Sequence, residues 1–438
     1  MKNITFKYTT TLATLLIAVL SIAQQNPTPA PKQTKSVLIM NATAHIGNGD
    51  VIENSAISFA DGKIGMVADA RVIRFDMTKF DTIINAYGMH VYPGFIAANS
   101  TLGLVEWDAV RASDDETETG TFKPSIRASI AYNTDSEIIP TVRSNGVLMA
   151  QVTPRGGVIS GVSSVMHLDA WNWEDAIIRE DDGVHLNWPQ VFHRHSDKGK
   201  VNIEKVKTYD QQLREIQIFF GEAKAYCNNK SNALTEVRYE GVRGVIEGTQ
   251  TLYVHTDDAK SIIEAVRFKK ETGIKNMVIV GGYQAVEVAD LLKENNIPVM
   301  LQRVHSLPYL SGDDIQLPYK LPAMLHKAGI TFCLENSGDM ERMGARNIPF
   351  HAGTAVAYGL PYEEGVKAIT LTPAKMLGID ATCGSIETGK DATLFISKGD
   401  ALDMRTNQLT AAFIQGRNID LGSKQTELYE KYMKKYGE

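Results

Sequence analysis

A regular alternation of short apolar runs with amphipathic helical patterns constrains the fold most. The runs begin at Leu252, Met277, Val299 and Ile330. Their spacing of about 20 to 30 residues accommodates one strand and one crossover helix. Between the first two runs, residues 259–266 carry apolar side chains at the i, i+3, i+4, i+7 spacing of an amphipathic helix. Strands that are apolar on both faces are typical of parallel sheets covered by helices, so the sequence predicts an α/β core.

Both ends of the chain carry strand patterns without long helices. Residues 37–91 alternate like antiparallel strands and contain Asp61-Gly62, a dipeptide suited to a hairpin turn. Short strand-like segments separated by glycines return from residue 384 onward, beginning with residues 384–387. These patterns predict one β subdomain built from two separated pieces. Periodicity alone leaves open whether the core is a closed barrel or an open doubly wound sheet.

Composition excludes several classes of protein. The chain has 438 residues, of which 43% are hydrophobic and 22% charged, which suits a globular protein with a substantial core. A disordered chain, a collagen-like fibre and a multi-pass membrane protein are therefore excluded. The net charge of -6, without clustered Lys or Arg, gives no indication of a nucleic-acid partner. The 3 cysteines are too few for a disulfide framework.

The N-terminus resembles an export signal. Lys2 and Lys7 precede a short apolar run, and Ser21-Ile22-Ala23 provides a small-x-small cleavage site. The run is shorter than the roughly 20 residues that span a bilayer. Residues 1–23 are therefore predicted as a signal peptide and residues 24–35, which are rich in proline, as a disordered leader. The predicted location is periplasmic or secreted, with an uncleaved membrane anchor as the alternative.

Three stretches resemble the amidohydrolase superfamily, especially its imidazolonepropionase-like members. They are Val91-Tyr92-Pro93-Gly94-Phe95-Ile96, the helical segment 368–378, and Gly384-Ser385-Ile386-Glu387-Thr388-Gly389-Lys390-Asp391-Ala392. The resemblance implies a hydrolase acting on non-peptide C–N bonds and a (β/α)8 TIM-like barrel with a β-sandwich subdomain formed from both chain ends. The predicted domains are the β-sandwich over residues 36–92 and 383–421, the barrel over 93–382, and a C-terminal helix over 422–438.

The resemblance also implies a metal site, and this sequence departs from it. The family's usual ligands are two histidines on the first barrel strand, a Lys or Glu on the fourth, one histidine each on the fifth and sixth, and an Asp on the eighth. At the matching positions stand Asn99 and Thr101, then His255, then Gly281, and then Ser337, or Asn336 if the match slips by one residue. The fourth-strand position is not located. A zinc site needs three or four donors. We therefore expect no cofactor, with zinc or another divalent metal bound through His255 as the alternative.

Two further residues are candidates for chemistry at the same end of the barrel. His305 follows the apolar run that begins at Val299, and Asp339 follows the run that begins at Ile330. Together with His255 they could bind one metal or form a metal-free acid–base group. The alternative is that all three side chains only hydrogen-bond loops around the barrel mouth, because spacing in the sequence gives no mutual geometry.

A glycine-rich loop is a candidate for ligand binding. Arg155-Gly156-Gly157 follows the apolar run 147–152. Its backbone amides could cradle an anion, and Arg155 could pair with a carboxylate. The loop lacks the Gly-Lys-Ser/Thr ending of a P-loop, so nucleotide binding is not indicated. A need for tight turns explains the two glycines equally well.

Two functions from different classes remain open. The first is an exported amidohydrolase-like protein that has lost the usual binuclear metal site and binds a small ligand or partners an active relative. The second is an active hydrolase of amide-like C–N bonds that uses a rearranged mononuclear or metal-free site around His255. Both predict a small-molecule ligand, no nucleic acid and no membrane span. A homo-oligomer or a complex with a related amidohydrolase is compatible with either.

Overall fold

The computed structural model of the protein describes residues 28–197, 200–229, 234–310, 312–338 and 340–437. The predicted signal peptide lies outside the described residues. Two eight-stranded sheets and a separate two-stranded hairpin organise the described chain. In those ranges, no helix has the length and apolar character needed to cross a membrane.

The strands lie mainly in two groups, one at the start of the described chain and one in its central part. In chain order they are β1 (Val37–His45), β2 (Val51–Ala60), β3 (Lys63–Asp69), β4 (Thr82–Asn85), β5 (His90–Pro93), β6 (Phe95–Ser100), β7 (Val147–Val152), β8 (Ile159–His167), β9 (Ile177–Asn187), β10 (Phe192–Asp197), β11 (Lys200–Lys205), β12 (Thr251–Thr256), β13 (Met277–Gly281), β14 (Val299–Leu301), β15 (Phe332–Leu334), β16 (Leu394–Ser397), β17 (Leu409–Ile414) and β18 (Arg417–Asn418).

The α-helices begin after β6 and include several single turns. They are α1 (Ala128–Ala131), α2 (Ile138–Arg143), α3 (Trp173–Ala176), α4 (Tyr209–Asn228), α5 (Val237–Glu240), α6 (Arg243–Glu247), α7 (Ala259–Thr272), α8 (Ala289–Glu294), α9 (Leu317–Lys327), α10 (Glu341–Gly344), α11 (Ile348–Ala357), α12 (Tyr362–Lys367), α13 (Leu371–Met376) and α14 (Lys424–Tyr436). Short 3₁₀ turns occupy Met77–Lys79, Arg111–Ser113, Ala285–Val288 and Ala345–Asn347.

The barrel sheet has the strand order β6-β7-β8-β9-β12-β13-β14-β15. An isolated parallel bridge between Ala98 and Glu335 joins its two edge strands, so the sheet is nearly closed. Strands β12 to β15 pair in parallel, and each connection between them except the one from β13 to β14 contains an α-helix of at least ten residues. The prediction of a TIM-like α/β barrel is confirmed at this level.

One strand departs from the predicted (β/α)8 pattern. Strand β8 runs antiparallel to both β7 and β9. Residues 153–158 connect β7 to β8, whereas a parallel crossover takes a dozen or more residues. The short connection therefore forces a reversal, and the uniform alternation of eight parallel strands is wrong at this position.

The interior of the barrel is a packed core. Apolar side chains from successive strands meet inside it, among them Ile96, Met149, Val165, Tyr253, Val278, Met300 and Cys333. All of these are buried. A filled interior leaves space for a ligand only at the end of the barrel, where loops continue from the strands.

The second sheet draws strands from both chain ends. Its order is β18-β17-β16-β5-β1-β2-β3, with β4 paired to β1. Strand β16 lies antiparallel to β5, so residues 394–397 pair with residues 90–93. The predicted turn at Asp61-Gly62 is confirmed: both residues have positive φ, 50° and 80°, as a hairpin of the primed type requires.

The segment 384–387 is not a strand, contrary to the sequence prediction. Gly384 has a φ of +89°, and a Cβ atom there would lie 2.5 Å from the Cβ atom of Ala374. The glycine therefore permits a tight turn against α13, and the chain re-enters the second sheet only at Leu394.

The described part of the predicted leader is held against the fold. Residues 28–35 have no regular secondary structure. The backbone N–H of Ala30 nevertheless donates to Asp169 Oδ2 at 3.0 Å, and Gln33 Oε1 accepts from the backbone N–H of Gly62 at 2.8 Å. These two hydrogen bonds join the described part of the leader to Asp169 and to the turn at Gly62.

A buried ion-pair cluster links the two sheets. Asp169, which follows β8, accepts from Arg143 on α2 at 2.6 Å and from Arg417 on β18 at 2.8 Å. The side chain of Asp169 is 2% exposed and that of Arg143 is 5% exposed. Removing one member of such a cluster leaves uncompensated buried charge.

We expect Asp169→Ala to lower the free energy of unfolding by about 3–5 kcal/mol, because two guanidinium groups then lose their buried counter-ion. Urea denaturation measures the change. The control is Asp290→Ala, which removes a carboxylate that is 91% exposed and pairs with Lys293; its cost should stay below about 1 kcal/mol. Equal losses in the two variants would contradict the assigned role of the cluster.

Candidate functional site

A cavity of about 580 Å³ opens at the carboxyl ends of the barrel strands. Three residues singled out from the sequence line it, namely His255 at the end of β12, Gly281 at the end of β13 and Ser337 after β15. Polar and apolar side chains complete the wall, including Asn187, Trp188, Phe192, Asp257, Asp258, Lys260, Gln284, Gln302, Tyr309 and Leu310. The volume falls within the range of small-molecule sites.

Gly281 leaves no room for a histidine in this backbone conformation. Its φ is +99°, and a Cβ atom would lie 2.5 Å from Asp257 Oδ1 and 3.1 Å from the carbonyl oxygen of Thr256. Both the backbone conformation and the close contacts therefore oppose any side chain at this position.

Asn99 and Arg155 form a polar clamp in the barrel mouth. Arg155 donates to Asn99 Oδ1 at 2.9 Å and to the Asn99 carbonyl oxygen at 2.8 Å. The same guanidinium donates to Glu341 Oε1 at 2.7 Å. The amide nitrogen of Asn99 donates to Glu335 Oε2 at 3.3 Å. Both the oxygen and the nitrogen of the Asn99 carboxamide thus form hydrogen bonds, and a permanent cation lies beside it.

Thr101 and Ser337 stand at the other two positions that the resemblance matches to metal ligands. Thr101 is completely buried, and its hydroxyl has no hydrogen-bond partner among the described residues. Ser337 donates its hydroxyl to Glu335 Oε1 at 2.8 Å, and its backbone N–H donates to Glu335 Oε2. Glu335 itself is 1% exposed, so this carboxyl group belongs to the interior of the mouth.

The glycines of the loop after β7 meet a steric need. Gly156 and Gly157 have φ of +77° and +73°. A Cβ atom on Gly157 would lie 2.7 Å from the carbonyl oxygen of Thr121. Lys123 donates to the carbonyl oxygen of Arg155 at 3.1 Å and thereby holds the loop in place. The tight-turn interpretation therefore explains both glycines, and Arg155 pairs with a carboxylate of this chain.

Sequence reasoning missed a histidine on the fourth barrel strand. His185, fully buried on β9, lies with its Nδ1 atom 2.8 Å from His255 Nε2. Its Nε2 atom lies 2.9 Å from Ser163 Oγ. The signal was the alternation in Val184-His185-Leu186-Asn187, which resembles the end of a barrel strand; the antiparallel strand before it interrupts the helix–strand rhythm.

A second missed group, Asp182, lies deeper in the barrel. Gln151 Nε2 and the hydroxyl of Tyr253 donate to its Oδ2 atom at 2.9 and 2.7 Å. Gln151 Oε1 accepts from the backbone N–H of Asn99 at 3.0 Å, which fixes the orientation of the amide. Gln151 also donates to Ser163 at 3.2 Å. One network thus runs from Asn99 to His255.

This network favours one tautomer of His255. Ser163 donates to the carbonyl oxygen of Gly183 at 3.3 Å while accepting from Gln151. All three contacts of Ser163 are satisfied together only if His185 Nε2 carries a hydrogen and donates to it. His185 Nδ1 then accepts from His255 Nε2. His255 Nδ1, which makes no hydrogen bond within the described chain, is left as an acceptor.

Burial dominates the protonation of the histidines and acids at the mouth. Burial, reinforced by the charge of Arg155, lowers the pKa of His255 to about 3. Burial and His255 hold the pKa of His185 well below its usual value. Burial raises the pKa of Glu335 to about 7 and that of Asp182 to about 6, although hydrogen bonds oppose both shifts. The two imidazoles are therefore neutral at physiological pH.

The other predicted catalytic residues lie elsewhere or are not described. His305 Nε2 lies 2.7 Å from Thr354 Oγ1, and its ring lies 4.4 Å from that of His351. The described cavity wall does not include His305. Asp339 falls outside the described residues. The structure thus places His305 beside α11 rather than with His255 at the cavity.

The side chains at this mouth differ from the donor set that the family resemblance implies. In the described ranges, no group of three or more His, Cys, Asp or Glu side chains is arranged to hold a metal ion. His185 and His255 hydrogen-bond each other, and Arg155 contributes a positive charge nearby. The lone pair of His185 Nδ1 accepts from His255 Nε2 and is therefore not available to a metal, whereas His255 Nδ1 keeps its lone pair.

Fold and site together define a TIM-like barrel protein with a ligand-sized cavity at the carboxyl ends of its strands. Residues 251–422 match the family model described as Amidohydrolase family. This match, together with the fold, supports the predicted resemblance to the amidohydrolase superfamily. The imidazolonepropionase-like subgroup stays a prediction. No curated protein matches the sequence.

Solved structures with a similar fold cover most of the chain. An amidohydrolase from Thermotoga maritima MSB8 is 23% identical, with a TM-score of 0.73, over 88% of this chain and 99% of that chain. An adenosine deaminase from Xanthomonas campestris with bound Zn is 14% identical, with a TM-score of 0.51, over 92% and 98%. A Xaa-Pro dipeptidase with bound methionine in the active site is 13% identical, with a TM-score of 0.54, over 88% and 100%. These likenesses concern the fold alone.

We expect Gly281→Ala to destabilise the protein by about 1–3 kcal/mol, because the new Cβ atom meets Asp257 in a backbone conformation that favours glycine. Urea denaturation measures the change. Gly221→Ala is the matched control: Gly221 lies inside α4, has no neighbour within 4 Å of an added Cβ atom and does not have positive φ. That control should gain up to about 1 kcal/mol. A stable Gly281→Ala variant would contradict the steric argument.

The buried neutral state of His255 predicts sensitivity to acid. Its pKa is lower in the folded protein than in the unfolded chain, so the unfolded chain binds more protons between about pH 6.5 and pH 3. The free energy of unfolding should therefore fall as the pH falls through that window. In His255→Gln the decrease between pH 6.5 and pH 4 should be smaller.

The control for this acid sensitivity is His326→Gln on α9, because its side chain is 41% exposed. That variant should follow the wild-type curve in urea titrations at each pH. If His255→Gln follows it too, burial does not hold His255 neutral.

Proposed function

We propose that this protein binds a small organic molecule in the barrel-mouth cavity and has lost the usual binuclear metal site of amidohydrolases. The cavity at the carboxyl ends of the strands carries the proposal, because it contains His255 while its wall at Gly281 leaves no room for a side chain. The Asn99–Arg155 clamp supports it further, because a guanidinium held beside the first-strand position repels a divalent cation.

The cavity wall indicates the size and character of the ligand. A volume of about 580 Å³ suits a molecule no larger than a drug-sized compound. Phe192, Tyr309 and Leu310 contribute apolar surface, whereas His255 and Gln302 contribute hydrogen-bonding groups. We infer that the ligand has an apolar part and at least one polar group.

The proposal includes export. Residues 1–23 have the composition of a signal peptide, and we infer that the mature chain begins near Gln24 and acts in the periplasm or outside the cell. We also retain the β-sandwich subdomain from both chain ends, because strands from residues 37–93 and 394–418 share one sheet.

The first test is ligand binding by the chain that lacks residues 1–23. Differential scanning fluorimetry with a fragment library should find compounds that raise the melting temperature of the wild type. L-methionine and a Xaa-Pro dipeptide belong in the library, because a fold relative holds methionine and is named for that dipeptide. His255→Phe should weaken binding of such compounds at least about tenfold, because it removes the hydrogen-bonding edge of the ring.

The matched control is His326→Phe, which changes an exposed histidine outside the cavity. It should bind like the wild type. If no compound binds in a manner that depends on His255, the binding function is wrong.

The second candidate function, a hydrolase of amide-like C–N bonds around His255, has its own readouts. It predicts turnover of an amide substrate that disappears in His255→Phe. It also predicts near-stoichiometric metal by inductively coupled plasma mass spectrometry if its site is mononuclear. Turnover that depends on His255 would replace the binding proposal. Substoichiometric metal together with ligand binding and no turnover would support the binding proposal.

A further inference from the structure

Asp257 follows the fifth barrel strand and lines the cavity. Its Oδ1 atom lies where a side chain on Gly281 would begin, because a Cβ atom there would be 2.5 Å away. The backbone N–H of Tyr283 donates to the same oxygen at 3.4 Å, which is long for a hydrogen bond. The carboxylate thus occupies the space beside the glycine, and only this one weak donor among the described residues reaches it.

The neighbouring charged groups are engaged elsewhere. Asp258 accepts from the backbone N–H and the hydroxyl of Ser261 at 2.9 and 2.7 Å, and so caps helix α7. The Lys260 ammonium lies 4.7 Å from the centre of the Tyr209 ring and 3.8 Å from Glu264 Oε1. Within the described chain, no ion pair joins Asp257 to a Lys, Arg or His side chain.

Asp257 and His255 are therefore two acceptors in one cavity wall. The hydrogen-bond network through His185 leaves His255 Nδ1 without a hydrogen. Around them stand apolar side chains that remain exposed, since Phe192, Tyr309 and Leu310 are 55%, 38% and 39% exposed. Exposed apolar surface beside polar groups that converge on one cavity is typical of a site that a ligand covers.

We propose that Asp257 and His255 form the recognition pair of the cavity and that its ligand is a small organic amine. The ammonium or amine N–H groups pair with the Asp257 carboxylate and donate to His255 Nδ1, while the apolar part of the ligand covers Phe192, Tyr309 and Leu310. This inference rests on the proposed binding function and adds the chemical class of the ligand. A carboxylate ligand is not expected to bind, because it has no hydrogen to donate to the two acceptors, Asp257 and His255 Nδ1.

Three matched probes test the ligand class: 2-phenylethylamine, 3-phenylpropanamide and 3-phenylpropionate, which are cationic, neutral and anionic at neutral pH. Isothermal titration calorimetry of the chain without residues 1–23 should give the tightest binding for the amine. Asp257→Asn should weaken amine binding at least about tenfold, because it removes the charge but keeps the shape and the acceptor for Tyr283. Thermal unfolding verifies that the variant is folded.

Asp290→Asn is the control, because it removes one charge from a carboxylate that is 91% exposed and does not line the cavity. Its amine affinity should stay within about threefold of the wild type. A preference for the carboxylate probe, equal losses in the two variants, or no binding of any probe at millimolar concentration would overturn the amine assignment. The fragment library tests the binding function separately, since hits that depend on His255 but contain no amine would preserve it.

Discussion

The barrel mouth depends on the hydrogen bonds that the Arg155 guanidinium donates to Asn99 and Glu341. Within the described residues, the first and last strands of the barrel sheet meet through a single β-bridge, between Ala98 and Glu335. Arg155 spans this seam by binding Asn99 at the end of β6 and Glu341 beyond β15. Charge-assisted hydrogen bonds of this kind are stronger than neutral ones, so the seam gains rigidity where backbone pairing is sparse.

The same cation organises the electrostatics of the site. Arg155 adds to the effect of burial on both His255 and His185, and it partly opposes the effect of burial on Glu335. Neutral imidazoles next to a fixed guanidinium form a surface that disfavours a second cation at the first strand. Asp257 lies beside Gly281, whereas Arg155 pairs with Glu341, so a ligand amine and the guanidinium have separate counter-charges. This separation makes the binding proposal electrostatically consistent.

Sequence reasoning predicted the parts of the fold that depend on periodic residue patterns and on local turn residues. Strands β12 to β15, helix α7 and the hairpin at Asp61-Gly62 follow from alternation and turn chemistry. It failed at β8, because the direction of a strand depends on the length of its connection and not on its own pattern. It found His255, Gly281 and Ser337 at the cavity but missed His185 and Asp182. Both residues lie on β9, next to the reversed strand β8. The alternation of strands and helices is interrupted there, so it does not predict where the strand lies.

The polar column beneath the cavity gives the last argument for a site at this mouth. Asp182 is fully buried, and its Oδ1 atom has no hydrogen-bond partner among the described residues. An apolar side chain would fill that layer of the barrel at lower cost, because a half-satisfied buried carboxyl is unfavourable. Through Gln151 and Ser163 the column orients His185, and His185 orients His255. The polar column therefore lowers the stability of the core, but it also holds the neutral imidazole of His255 in place at the cavity wall. Among the described residues, no partner occupies His255 Nδ1, so this atom is available to accept a hydrogen bond.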